Sequence, residues 1–96
     1  MISKENQIQV FETIATITQR KGSRKKMCSI FEISDEFKSN KIDAPKVFIE
    51  GCIDLLIQHK LVRYFRNDKG YIYFGITQFG WERWDAKCAA DKEVSA

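Results

Sequence analysis

Apolar residues in the first part of the chain recur at helical spacing. Ile8, Phe11, Ile14, Ala15 and Ile17 follow three- and four-residue steps, which predicts a helix from about Glu5 to Arg20 with that face turned inward. Arg20, Lys21 and Gly22 form its stop, because cations complement the helix dipole and glycine accepts a left-handed backbone. Ser29-Ile30-Phe31-Glu32 has the capping-box pattern of a helix start. That second helix carries Ile30, Ile33 and Phe37 inward, with Phe31 as a further candidate, and ends near Ser39-Asn40. Met27-Cys28-Ser29 leaves room before it for a strand stub of one or two residues. Asp43-Ala44-Pro45 opens a third helix, with Asp43 as N-cap and Pro45 in the first turn. It runs to about His59 and turns Ile49, Cys52, Ile53 and Leu56 inward.

The period then changes from helical to alternating. Leu61 to Arg66 and Tyr71 to Ile76 are β-branched and aromatic runs around Asn67-Asp68-Lys69-Gly70, which predicts a β-hairpin with Ile72, Phe74 and Ile76 on the buried face. Thr77 caps a last helix from Gln78 to about Ala90. The expected organisation is one domain over residues 1–90 and a polar, flexible tail over 91–96.

Composition narrows the class. The 96 residues are 44% hydrophobic, with one proline and five glycines, which fits a single folded domain and excludes a disordered Pro/Gly-rich chain. No apolar run is long enough to span a bilayer, and Met1 to Glu5 lack the pattern of a secretory signal, so the expected compartment is the cytoplasm. Cys28, Cys52 and Cys88 are widely spaced, and His59 is the only histidine. That set suits neither a disulfide framework nor a zinc site, so the thiols are expected to be reduced. No nucleophile–base pairing, phosphate-binding glycine loop or dinucleotide fingerprint occurs. We therefore expect no enzymatic activity and no cofactor.

The element order is helix, helix, short turn, helix, two-stranded hairpin, helix. In that order the chain resembles the winged helix-turn-helix superfamily, of the small prokaryotic, phage or plasmid regulator type, from about Gln7 to Lys87. Ser29 to Phe37 looks like the first helix of the helix-turn-helix, and Asp43 to His59 like the recognition helix. Leu56 to Val62 is similar to the Leu-x-x-x-Gly-Leu-Ile junction into the wing, with Lys60 where glycine is usual. Ile76-Thr77-Gln78-Phe79-Gly80 resembles the Leu-Thr-x-x-Gly that ends it. The implied fold is α+β and mostly helical: a three-helix core, a hairpin wing and a C-terminal helix.

The resemblance implies a transcriptional regulator that binds double-stranded DNA, with a recognition helix (about 44–59) in a major groove and a wing (about 61–76) on the backbone. It would place Lys46, Val47, Glu50 and Asp54 outward. Lys46 is the only cation among these, and Glu50 and Asp54 repel phosphates. An i,i+4 pair between Lys46 and Glu50 on a solvated helix is the simpler reading of that face. On the wing, Arg63, Arg66, Asn67 and Lys69 are candidate phosphate contacts, as is Lys41 between the second and third helices.

The densest charge is Arg20, Lys21, Arg24, Lys25 and Lys26; without those five the net charge of +3 becomes −2. Arg24, Lys25 and Lys26 are candidates for nucleic acid, but an acidic protein surface or simple solvation accounts for the loop equally well. Trp81, Trp84 and Cys88 form an apolar stripe with Thr77, which suits either packing onto the first helix or a homodimer interface. The second reading of the whole chain is a winged-helix protein–protein interaction module, an accessory or inhibitor protein, that does not read DNA sequence.

Overall fold

The computed structural model describes the backbone of residues 3–95 and the side chains of residues 3–90; Met1, Ile2 and Ala96 lie outside the described residues. The order is α1 (Lys4–Arg20), β1 (Cys28–Ser29), α2 (Ile30–Ser39), α3 (Lys46–Gln58), β2 (Val62–Arg66), β3 (Ile72–Ile76) and α4 (Gln78–Ser95). The architecture is α+β and mostly helical. Helices α1, α2 and α3 pack around one core, and an antiparallel sheet of order β1-β3-β2 closes one side of it.

Three helix ends show why the chain turns where it does. α1 ends at Lys21, followed by Gly22 at φ +93°. α2 and α3 end instead on lysines, Lys41 at φ 60° and Lys60 at φ 63°. Both ends are Schellman motifs: the Ile42 amide donates to the Phe37 carbonyl at 2.8 Å, and the Leu61 amide to the Leu56 carbonyl at 3.0 Å. The residues five apart, Phe37 with Ile42 and Leu56 with Leu61, all belong to or pack on the core. Lys60 thus occupies the left-handed position at which the resembled pattern has glycine.

The capping box is formed in full. The Ser29 hydroxyl accepts from the Glu32 amide, and the Glu32 carboxylate accepts from the Ser29 amide. β1 is the expected strand stub, with Cys28 opposite Phe74 and Ser29 opposite Tyr73. Thr77 caps α4 through its hydroxyl, which accepts from the Gly80 amide and donates to the Lys60 carbonyl. One side chain therefore joins the end of α3 to the start of α4. Gly80 follows from that crossing, because a methyl group there would overlap the Leu61 carbonyl oxygen and Ile76.

The structure corrects several expectations. Pro45, not Asp43, is the N-cap of α3, with no side-chain cap bond. A residue before proline is held away from helical geometry, so Ala44 cannot be the first helical residue. On α1 the buried stripe is Val10, Phe11, Ile14, Ala15, Ile17 and Thr18, and Ile8 is exposed. The hairpin outruns the core, which leaves Ile72 exposed and buries only Val62, Gly75 and Ile76 at its base. α4 continues to Ser95, through the backbone expected to fray, since no proline or glycine stops it after Gly80.

Candidate functional site

The Trp stripe of α4 is used within the chain. Trp81 is 7% exposed, and its indole N–H donates to the Arg24 carbonyl at 3.3 Å. Trp84 meets Phe11 edge-on at 6.3 Å between centroids, and Cys88 is half-buried. Trp81 thus packs on the α1–β1 loop at Arg24 and Trp84 on Phe11 of α1, and Lys87 ties α4 to Glu12 at 3.0 Å.

The cationic loop is also largely committed. Arg20 makes a bidentate pair with Glu36, and Arg24 one with Asp85. Each carboxylate is held below its ordinary range first by the hydrogen bond from its arginine. Lys21 bridges Glu32 at 2.7 Å and donates to the Met27 carbonyl. Lys25 and Lys26 remain exposed, with no ion pair among the described residues.

Side-chain alternation divides the hairpin cations. Arg63, opposite Gly75, lies on the outer face of the sheet near Met27. Arg66, opposite Ile72, lies on the other face at the exposed end. Asn67 builds the turn: its side-chain oxygen accepts from the amides of Lys69 at 3.0 Å and Tyr71 at 2.9 Å. Lys69 is exposed beside it, and Lys41 is exposed in the α2–α3 turn. Among the candidate cations Lys46 lies on α3, and the others lie on the α1–β1 loop, the α2–α3 turn and the hairpin.

An open cleft of about 920 Å³ lies between the N-terminus of α2, the outer face of α3 and the hairpin. Ile30, Ile57 and Phe74 line it deep, all partly buried against the core. Phe31, Tyr64 and Tyr71 form its lips and are 57%, 62% and 59% exposed. Its charged lining residues are Glu32, Glu50 and Asp54, and neither lysine nor arginine lines it. Glu32 is engaged by Lys21 and the capping box. Glu50 and Asp54, one turn apart on α3, have no ion pair among the described residues. The expected Lys46–Glu50 pair is not made; the Lys46 ammonium stands over the Phe31 ring, 4.1 Å from its centroid. Val47 is exposed one residue on.

Sequence reasoning found Glu50, Asp54 and the aromatic character of the wing at Tyr71, but it turned Phe31 inward and gave Tyr64 no role. Tyr64, Tyr71 and Ile72 have core-like composition, and the projection of the hairpin beyond the helices exposes them, whereas Phe31 is exposed in the first turn of α2. Among the described residues no His, Cys, Asp and Glu group is placed to hold a metal ion, and no helix is long and apolar enough to cross a membrane.

The fold thus defines a small α+β protein with a three-helix core, a hairpin and an acidic, aromatic cleft between them. No known family, curated protein or solved structure matches the chain.

Proposed function

We propose that this chain is a winged-helix protein–protein interaction module whose cleft between α3 and the hairpin docks another protein. The observation that carries this reading is the lining of the cleft. In a winged helix this face would meet DNA, yet its charged lining groups are three carboxylates, which phosphates repel. Exposed tyrosine and phenylalanine at its lips are the residue types enriched at protein interfaces.

A DNA-binding regulator is the second reading, favoured by the unpaired cations Lys25, Lys26, Arg63, Arg66 and Lys69. In that case the outer face and tip of the hairpin would hold phosphates while α3 enters the major groove. Titrating the full chain with a mixed-sequence 20-base-pair duplex, while following backbone amide resonances, tests the choice. The interaction module leaves the amides of Glu50, Asp54, Tyr64 and Tyr71 unmoved at physiological salt; specific shifts there support DNA reading by α3.

A further inference from the structure

We infer that the cleft takes a basic segment of a partner protein, in which arginine or lysine flanks an apolar anchor; this rests on the interaction-module reading. Three observations select that occupant. First, the charge of the cleft is uncompensated: Glu50 and Asp54 project from one wall, unpaired and exposed, and no cation lines the cleft. Cations reach only its rim, as Lys46 over Phe31 and Arg66 opposite Ile72. A partner that brings its own cations satisfies those carboxylates by charge-assisted hydrogen bonds.

Second, the lips are aromatic faces of the kind that hold cations. The chain's own Lys46 already makes this contact with Phe31, leaving Glu50 one turn along the same helix unpaired. Tyr64 and Tyr71 on the opposite lip carry no cation among the described residues. An incoming arginine or lysine has a ring to stand on there and a carboxylate across the cleft to pair with.

Third, the floor is apolar. Ile30, Ile57 and Phe74 give a surface for an aliphatic or aromatic anchor, and the volume is within the range of sites that hold a few inserted side chains. An apolar floor below a carboxylate wall matches an amphipathic basic segment and mismatches both nucleic acid and an acidic peptide. Electrostatic complementarity of this kind sets which partner is accepted and how fast it arrives.

The test is selection of displayed random dodecapeptides on the full chain. Synthetic versions of the selected peptides are then measured by fluorescence anisotropy and by amide shifts. Selected peptides should be enriched in Arg and Lys around an apolar residue and should shift Glu50, Asp54, Tyr64 and Tyr71. The E50Q/D54Q double variant should weaken them about tenfold or more, with a shallower salt dependence. The charge-matched D35N/E82Q variant, altered at exposed positions outside the cleft, should leave binding within about twofold. Selected peptides without net positive charge that still shift the cleft would overturn the basic occupant and leave the interaction module standing. No enrichment, or equal weakening by both double variants, overturns the assignment of this cleft to a basic segment. Duplex DNA shifting those same amides would overturn the interaction module itself.

Discussion

The guanidinium of Arg24 grips the carboxylate of Asp85 with two hydrogen bonds, 2.9 and 2.6 Å, across sixty-one residues of chain. The same guanidinium lies 4.5 Å from the centroid of the Trp81 ring. Of the three adjacent candidate cations it is therefore the one with a structural task. Arg24→Ala should lower the denaturation midpoint measurably, and Lys25→Ala and Lys26→Ala should not. A double-mutant cycle with Asp85→Asn should show coupling at low salt that fades at high salt. The folded-state pKa of Asp85 is depressed, so this contribution is present above the ordinary carboxylate range and is lost as pH falls through the folded value. The Glu36–Arg20 pair has the same sign. Denaturation midpoints between pH 7 and pH 3 should fall, less steeply in Asp85→Asn. An unchanged slope in that variant would remove Asp85 from the account.

Lys60 offers the opposite kind of change. An L-residue in the left-handed region costs about 1–2 kcal/mol, while glycine there costs about 0.5–1 kcal/mol of unfolded-state entropy. With Lys60 at φ 63°, Lys60→Gly should be neutral to stabilising by about 1 kcal/mol in urea unfolding. A clear loss would mean that the lysine side chain stabilises the junction by a contact of its own.

At Gly80 the space, not the backbone angle, decides. Added carbon meets the Leu61 carbonyl, and backbone cannot step aside as a flexible side chain does. Gly80→Ala should cost about 2–3 kcal/mol. Gly75→Ala, which meets the flexible Met27 side chain, should cost less. Thr77→Ala should cost about 1 kcal/mol through the lost cap. Equal effects at the two glycines would contradict a tight crossing of Gly80 over Leu61.

The cysteines should separate by reactivity. Burial, as the largest cause, pushes the Cys28 thiol up to about 12, and burial raises Cys52 as well. Cys88 is half-buried on α4. Alkylation of the native protein at neutral pH, read by mass spectrometry, should modify Cys88 first, with Cys28 and Cys52 following only on unfolding. Prompt labelling of Cys28 would show that β1 opens readily.

Local devices were the legible part of this sequence. The Ser29–Glu32 box, the Gly22 stop, the strand stub and the Asn67–Gly70 turn depend on a few neighbouring residues, and the structure forms each of them. Asp43 failed as a cap because the constraint of Pro45 on Ala44 outweighed a favourable side chain. Ile8 and Val10 exchanged roles because helical spacing fixes the period of a stripe and leaves its rotation to tertiary packing. The cleft was illegible for a related reason. Tyr64, Tyr71 and Ile72 alternate as a half-buried strand would, but nothing local records how far a hairpin projects past its core.

That projection has an energetic consequence. Tyr64→Ala and Tyr71→Ala remove exposed side chains and should change stability by under about 0.5 kcal/mol. Phe37→Ala, at 2% exposure, should cost about 3–5 kcal/mol. Thermal or urea unfolding of the three variants checks this. A large loss at either tyrosine would make the lips part of the core and not a docking surface.

Selection of bound duplexes from a random double-stranded library, at physiological salt, tests most directly whether the face of α3 and the hairpin is for protein. The account predicts weak recovery without an enriched sequence, since Glu50 and Asp54 stand where bases would be read. Enrichment of a two-fold symmetric site, with half-sites about 10 to 10.5 base pairs apart and lost in Lys46→Ala, would contradict it.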